Sequence, residues 1–330
     1  MDLPLLSALF VAFAMTLYVL LDGFDLGVGA LLLFQSDEKQ RDRMVYSITP
    51  TWDGNETWLI MAGVGLLAGF PIAYGILLPA LYLPLIMMLL SLGLRGVSFE
   101  FRYQVDRARR IWDAAFGVGS IVAALMQGLI VGALIQGVAV TGDHFSGSVI
   151  DVFRPFCLLT AVAVLSGYVV LGAGWLHFKT SAKLRSFAET SLSVGAPIFA
   201  GLALVTCVAA IFVQPRVQAA WVAYPVVLGM MASVFFVTAV ILFRSVGREP
   251  AMRPFLLGLI LFACGVGGLA VVIFPYIVPF QLSLWDAASA TLSHVFMLAG
   301  AVVVTPIVLA YSAFAYHVFR GKTPEEGWES

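Results

Sequence analysis

The sequence predicts an all-α, polytopic membrane protein with nine transmembrane helices. Of its 330 residues, 61% are hydrophobic and only 11% are charged, and the mean hydropathy is +0.99. Soluble domains carry about 25% charged residues, so a chain this apolar is expected in a bilayer. The net charge of −1 gives no electrostatic reason to expect a nucleic-acid partner.

The apolar runs are long enough to be membrane helices, because a bilayer core takes about 20 apolar residues per helix. They are continuous rather than alternating at every second residue, which favours helices over barrel strands. The predicted spans are 5–34, 55–75, 78–98, 113–139, 155–177, 190–213, 219–243, 254–275 and 288–316. Because the loops between them are short, we expect a single integral membrane domain over residues 1–330.

The charges in the loops predict the orientation, because cytoplasmic loops are enriched in Lys and Arg. With the N-terminus outside, only Arg154 and Arg216 of the 18 Lys and Arg residues lie outside. Nine spans then place the C-terminus in the cytoplasm. We expect the first span to be retained rather than cleaved as a signal, because Met1-Asp2-Leu3 has no positive side chain and the apolar run is long.

Two glycine-containing motifs suggest an internal repeat. The first span contains Asp22-Gly23-Phe24-Asp25-Leu26-Gly27-Val28-Gly29, and the fifth contains Gly167-Tyr168 followed by Gly172-Ala173-Gly174. Four spans separate them, so both would point the same way, as in parallel repeats. Spans 1–4 (about 5–139) and spans 5–8 (about 155–275) would then be the two copies, and the ninth span an addition. Chance similarity between glycine-containing helices is the alternative.

Asp22 and Asp25 are the charges that most require an explanation. An ionised side chain deep in a span costs about 2.5–3.5 kcal/mol on insertion scales. Their spacing puts them on one helix face, and Asp25 and Asp22 lie about 13 Å and about 18 Å from the cytoplasmic end near Phe34. They are interpreted as a proton-carrying or ion-binding pair. The structural alternative is a hydrogen bond to a neighbouring helix or an ion pair with an arginine.

Polar residues also cluster at the start of the second span. Asp53 can cap this helix, and Glu56, three residues later, can complete a capping box. Trp52 fits an aromatic belt at the membrane interface. A cap needs only one acid, whereas this stretch places two acids and the Asn55 amide on the same side as Asp25. The entrance of a proton path would have this composition.

The remaining polar candidates have simpler explanations. Arg95, near the end of span 3, can reach lipid headgroups or pair with an acid such as Glu100 or one from spans 1 and 2. His294, in the outer part of span 9, is the histidine expected to be buried. It is a candidate haem ligand, although packing or hydrogen bonding is the preferred interpretation. The three cysteines form no CxxC motif, so no metal, disulfide or covalent haem site is expected.

These motifs resemble subunit II of the cytochrome bd-type quinol oxidases, which include the cyanide-insensitive oxidases. The resemblance rests on five segments spread over essentially the whole chain, and the Trp-Asp-Gly-Asn element is the most specific of them. The segments are residues 22–29, 52–60, 94–102, 285–288 and 318–322.

The resemblance implies nine helices, arranged as two four-helix bundles plus one, and a homologous haem-bearing subunit I as partner. The complex would oxidise quinol and reduce O₂ to water, with protons drawn from the cytoplasm and without pumping. Two b haems and haem d are expected on subunit I, so no catalytic residue or metal ligand is expected in this chain. The implied location is the bacterial cytoplasmic (inner) membrane, with lipid, small accessory subunits and a bound structural quinone as further partners.

The resemblance also implies a role for the acids. In the family, an acid at the position of Asp53 lies at the entrance of a cytoplasmic proton route, whereas an amide can replace Glu56. We therefore predict that Asp53, helped by Glu56, collects protons. Asp25 and Asp22 are predicted to tune or extend the path. A structural or lipid-binding role is predicted for Trp52, Asn55, Arg95 and Glu100.

Two other functions compete with this prediction. In a proton- or ion-coupled secondary transporter the same acids would bind the coupling ion, and helices would be broken at corresponding positions of the two halves. Pro71, Pro79 and Pro306 have no clear counterparts in a second half, which favours the oxidase. In a purely structural partner of a haem-bearing subunit the acids would not matter.

Overall fold

The computed structural model describes residues 2–102, 104, 108–248 and 250–324. Over these residues the chain is helical, with two short antiparallel hairpins and a 3-10 helix in the loops. The hairpins pair β1 (Val140–Thr141) with β2 (His144–Phe145) and β3 (Tyr276–Val278) with β4 (Leu282–Ser283), and the 3-10 helix is Val149–Phe153. The α-helices are α1 (Leu3–Leu32), α2 (Glu38–Ile48), α3 (Trp52–Gly69), α4 (Pro71–Ala80), α5 (Tyr82–Arg102), α6 (Arg109–Gln136), α7 (Pro155–Lys179), α8 (Ala182–Val213), α9 (Pro215–Ala223), α10 (Pro225–Ser245), α11 (Arg253–Ile273) and α12 (Thr291–Val318).

Within the described ranges, eight helices are long and apolar enough to cross a membrane, judged by length and composition. They are α1, α5, α6, α7, α8, α10, α11 and α12. The prediction of an all-α, multi-pass membrane protein is therefore confirmed at this level. The predicted span 55–75 corresponds to α3 and the start of α4, and α3 is less apolar because Asp53, Asn55 and Glu56 occupy its first turns.

Prolines start new helices inside two of the predicted spans, so one end of each of these spans differs from the prediction. The predicted span 55–75 is wrong at its end, because α3 stops at Gly69 and Pro71 starts a new helix. The predicted span 219–243 is wrong at its start, because α9 ends before Tyr224 and α10 restarts at Pro225. Proline has no backbone N–H and disfavours the helical conformation in the preceding residue, so it fits best at the first position of a helix.

The short helices α4 and α9 occupy corresponding positions in the two halves of the chain. Each follows the second long helix of its half and begins with a proline, Pro71 in α4 and Pro215 in α9. The expectation that Pro71 lacks a counterpart is therefore wrong. The breaks separate consecutive long helices, while the acid-bearing helix α1 is continuous from Leu3 to Leu32.

Helix α2 was not predicted, because the apolar-run criterion passes over a polar segment. Asp37 caps it by accepting a hydrogen bond from the Lys39 N–H. Its apolar side, including Met44 and Ile48, is buried. The Trp175 indole on α7 donates to the carbonyl of Ser47 at 3.2 Å, so α2 is attached to the cytoplasmic end predicted for the bundle.

The second half of α1 lies at the centre of the protein. Every residue from 22 to 32 is buried. A helix that is covered on all sides needs close neighbours, and α1 packs against α3, α6 and α7. The acids of α1 therefore lie inside the helix bundle rather than at its lipid surface.

The two glycine motifs contact each other where α1 crosses α7. A Cβ on Gly27 would lie 1.7 Å from the Tyr168 carbonyl oxygen, and one on Gly172 would lie 2.4 Å from the Gly27 carbonyl carbon. Phe24 stacks on Trp175 with ring centres 4.5 Å apart. Small residues allow such close helix approach in membranes, so this contact explains why both motifs contain glycine.

Replacement of Gly27 by alanine should destabilise the protein, because the new methyl group meets backbone that no rotamer change can move. We expect a loss of about 2 kcal/mol or more, in the range of overpacked cores. The measurement is thermal unfolding of the purified protein in detergent. Gly63→Ala on α3 is the matched control, since a Cβ there has no neighbour within 4 Å; equal unfolding temperatures for the two variants would contradict the packing account.

Candidate functional site

Arg95 forms a buried ion pair with Asp22. Its Nη2 lies 2.6 Å from Asp22 Oδ1, and the two side chains are 1% and 0% exposed. The same nitrogen lies 3.4 Å from Glu56 Oε2 on α3, whose side chain is 25% exposed. Buried charges are stable only when they are paired. Because the Arg95 guanidinium on α5 pairs with Asp22 on α1 and with Glu56 on α3, it holds these three helices together.

Arg95 thus pairs with acids of the first two spans and not with Glu100, which is exposed. Its guanidinium carbon lies 6.0 Å from the centre of the Trp52 ring. That ring stacks on Phe99 at 5.1 Å. The Arg95 side chain is buried in this chain. The interpretation that it reaches lipid headgroups is therefore wrong.

Asp25 is bonded to an amide instead of a cation. The Asn55 Nδ2 donates to Asp25 Oδ2 at 2.7 Å and to the Leu21 carbonyl at 3.3 Å. Asp25 is fully buried, and its Oδ1 has no hydrogen-bond partner among the described residues. Asp25 can therefore exchange a proton without breaking an ion pair, whereas Asp22 cannot.

Asn55 also connects this carboxyl to α12. The Tyr316 hydroxyl donates to Asn55 Oδ1 at 3.0 Å. Sequence reasoning missed Tyr316. Tyr316 could have been identified as a hydroxyl-bearing residue near the cytoplasmic end predicted for span 9, on the same side of the membrane as the acids.

A second polar chain extends from Asp22 in the opposite direction along α1. Tyr18 lies one turn before Asp22, close enough to interact with its carboxylate. The Tyr18 hydroxyl accepts from Gln127 Nε2 at 2.7 Å, and Tyr168 donates to Gln127 Oε1 at 2.6 Å. This chain stays inside the bundle, because all three side chains are buried.

Asp53 lies at the margin of the cluster. It is exposed in the first turn of α3, and the N-cap position belongs to Thr51, which makes no side-chain capping bond. The interpretation of Asp53 and Glu56 as a capping box is therefore wrong. Glu56 faces inward to Arg95, one turn deeper than Asp53, so the two acids form a step from the surface to the buried cluster.

His294 is buried, as predicted, and belongs to a different region. Its Nδ1 lies 2.7 Å from Ser7 Oγ, and its ring meets Phe70 edge-on at 5.7 Å. These contacts agree with the packing interpretation. Its Nε2 has no partner in the part of the chain that the structure describes. Over the same residues, no cluster of three His, Cys, Asp or Glu side chains could hold a metal ion.

A network of arginines and aspartates that sequence reasoning also missed joins α2, α5 and α6. Asp113 accepts from Arg41 at 2.7 Å and from Arg102, which also bonds to Asp42 at 2.5 Å. Arg102 and Asp113 are buried. The network fixes the helix that precedes α3 and so supports the position of Asp53.

The chain is similar in sequence to a known protein family. The family model of cytochrome bd terminal oxidase subunit II matches residues 3–319. The chain is 31% identical to the probable cytochrome oxidase subunit 2 of Haemophilus influenzae, over 96% of this chain and 93% of that protein. It is 28% identical to the cytochrome bd-I ubiquinol oxidase subunit 2 of Escherichia coli, over 98% of this chain and 95% of that protein.

The fold has a solved counterpart. A chain in the structure of bd oxidase from Geobacillus thermodenitrificans matches with a TM-score of 0.79 and 15% sequence identity. The match covers 97% of this chain and 99% of that chain.

Removal of the Arg95 guanidinium should be severely destabilising, because it leaves Asp22 as an uncompensated buried charge. For Arg95→Met we expect a loss of about 3–5 kcal/mol, as for other broken buried pairs. The double variant Asp22→Asn/Arg95→Met should recover part of that loss, since it removes both charges. Thermal unfolding measures both, with Arg110→Met at an exposed site as control. A single variant as stable as this control would refute the ion-pair role.

Proposed function

Because this chain belongs to the cytochrome bd terminal oxidase subunit II family, we propose that it supports a haem-bearing subunit I and helps deliver cytoplasmic protons for O₂ reduction. As a member of that family, it is a subunit of a quinol oxidase complex of the respiratory chain, in the bacterial inner membrane. The observation that carries the proton role is Asp25, a buried carboxyl bonded to an amide and without a cation partner among the described residues.

The proton role follows from the chemistry of the reaction. Reduction of O₂ to water consumes protons, and an apolar slab excludes them unless polar side chains or water cross it. Asp25 suits proton exchange because loss or gain of a proton leaves the Arg95–Asp22 ion pair intact. Asp22 then serves as the counter-charge of Arg95, which gives the two acids of α1 different tasks.

Asp53 and Glu56 are proposed as the collecting acids. Asp53 is exposed at the start of α3, and Glu56 lies one turn deeper with a quarter of its side chain exposed. A proton taken up at Asp53 can therefore move inward in steps. In this proposal Glu56 is auxiliary, because its carboxylate is also engaged by Arg95.

The haems are proposed to lie on subunit I. The family implies haem cofactors in the complex and quinol as substrate, and we assign two b haems and haem d to the partner. A packing role rather than haem ligation is proposed for His294, because its ring is 1% exposed and its Nδ1 is engaged by Ser7. Lipid, a structural quinone and small accessory subunits remain proposed partners of the complex.

We also propose nine crossings, with the N-terminus outside and the C-terminus in the cytoplasm. Helix α3 would supply the ninth, since its 18 residues at 1.5 Å each reach about 27 Å, close to a hydrocarbon core of about 30 Å. It packs along α1 and α12. The glycine contact between α1 and α7 and the paired short helices α4 and α9 support two four-helix bundles plus one helix.

A proton- or ion-coupled transporter is the alternative function. Midplane ion sites of transporters use broken helices. Here the acids lie on the unbroken helix α1, and the breaks at Pro71 and Pro215 lie between long helices. The oxidase assignment is therefore favoured by the family and by the position of the breaks.

Replacement of the acids tests the proton role directly. Asp25→Asn should slow turnover and proton uptake of the complex by roughly 100-fold, the lower end of what a positioned proton-transfer group contributes. Asp53→Asn should have a smaller effect in the same direction. Haem content and the quinol KM should be unchanged, since neither acid is proposed to touch a haem or quinol.

Asp143→Asn is the control for these variants, because Asp143 is exposed in the β1–β2 turn. Full turnover and proton uptake in an assembled Asp25→Asn complex would overturn the proton role of that acid. The same result for Asp53→Asn would remove it as the collecting group.

An optical spectrum tests the placement of the haems. The purified complex should show reduced-minus-oxidised bands of haem b and haem d, whereas this chain expressed alone should show none. His294→Ala in the complex should leave the bands unchanged. A chain that binds haem on its own, or a complex that loses a haem with His294→Ala, would contradict the assignment to subunit I.

A further inference from the structure

We propose that a cavity at the end of α12 is a water-filled vestibule from which protons reach Asp25 past Tyr316 and Asn55. This inference rests on the proposed proton role of Asp25 and adds a second entrance beside Asp53. It makes Tyr316 a positioning residue for proton delivery.

The cavity has a volume of about 210 Å³, room for several waters. Several hydroxyl-bearing residues line its inner wall, and its mouth is formed by exposed residues that follow α12. Hydroxyl-bearing residues of the wall are Tyr46, Ser47, Thr51 and Tyr316, and residues at the mouth include Phe319 and Lys322. Although apolar side chains also line it, an open cavity of this size with several hydroxyl-bearing residues in its wall has room and partners for water.

Two side chains separate this cavity from Asp25. The Tyr316 hydroxyl, in the cavity wall, donates to Asn55 Oδ1 at 3.0 Å, and Asn55 Nδ2 donates to Asp25 Oδ2 at 2.7 Å. The other carboxyl oxygen, Asp25 Oδ1, has no partner among the described residues and is buried. The hydrogen bonds of Asp25 thus lead toward the cavity and not toward Asp53.

An amide is a poor proton carrier, so water must complete the link. The Tyr316 hydroxyl can orient a vestibule water beside Asn55; that water takes a proton from its neighbour in the vestibule and passes one to the Asp25 carboxylate. Asn55 holds the carboxyl in place during this exchange. The charged groups that act on Asp25 from the packed helices are Asp22, Glu56 and Arg95.

The mouth of the cavity is held by Lys179. Its Nζ donates to the carbonyls of Phe319 and Gly321, the latter at 2.8 Å, and the Thr323 N–H donates to the Lys179 carbonyl at 2.8 Å. These bonds fix residues 319–323 as a rim on the end of α7. The Lys179 side chain thus bonds main-chain carbonyls just beyond the C-terminus of α12.

The test uses the whole oxidase complex with Tyr316→Phe, which keeps the ring and removes the hydroxyl. Proton uptake should slow at least about tenfold, less than the ~100-fold of a positioned proton donor, because water keeps some access. Quinol KM and haem spectra should not change. Gly321→Trp, which fills the rim where a Cβ has no neighbour within 4 Å, should have the same effect. Tyr311→Phe, at an exposed site of the same helix, is the control.

Thiol labelling checks the vestibule without relying on activity. Thr51→Cys should react with a membrane-impermeant maleimide in inside-out vesicles and not in right-side-out vesicles. Gly321→Trp should block the reaction. Thr238→Cys, equally buried on α10 but outside the cavity lining, should not react from either side. The parent protein gives the background of the native cysteines.

The outcomes separate this inference from the function on which it rests. If Asp25→Asn slows proton uptake while Tyr316→Phe and Gly321→Trp do not, the vestibule is refuted and the proton role of Asp25 stands. If Thr51→Cys is unreactive, or reacts only from the outer side, the vestibule is refuted as well. If Asp25→Asn has normal proton uptake, the proposed function fails first.

Discussion

The ion pair between Arg95 and Asp22 determines how the buried acids of this subunit can act. A guanidinium and a carboxylate 2.6 Å apart, both almost fully buried, are stable only as a pair, because either charge alone would cost several kcal/mol in this environment. Since Arg95 on α5 also reaches Glu56 on α3, the pair sets the positions of three helices. The glycine contact between α1 and α7 brings the remaining half of the bundle against this centre.

Because of this ion pair, the two acids on one face of α1 have different roles. Asp22 is committed to Arg95, whereas Asp25, one turn closer to the predicted cytoplasmic end, is held by the Asn55 amide and has no ion-pair partner among the described residues. Asn55 in turn bonds to Tyr316 in the wall of the proposed vestibule. A subunit proposed to carry no haem can in this way contribute to the oxidase reaction, through the supply of protons to its partner.

The long apolar helices could be predicted from sequence because bilayer thickness and hydropathy determine them locally: α1 was predicted at 5–34 and is Leu3–Leu32. The family could be predicted as well, since its motifs are short and contiguous. Helix α2 could not, because its polar sequence lacks an apolar run. The Arg95–Asp22 pair joins residues 73 positions apart, and hydropathy does not encode which helix faces which. Tyr316 was missed for the same reason, since its partner is 261 residues away.

Asp25, and not Asp22, is proposed to exchange protons during turnover. Redox-induced infrared difference spectroscopy of the assembled complex tests this proposal most directly, because a carboxyl that gains or loses a proton changes its C=O absorption. We expect a carboxyl band in the parent complex that is absent in Asp25→Asn and retained in Asp22→Asn. A band that persists in Asp25→Asn, or that disappears only in Asp22→Asn, would show that Asp25 is not the exchanging acid.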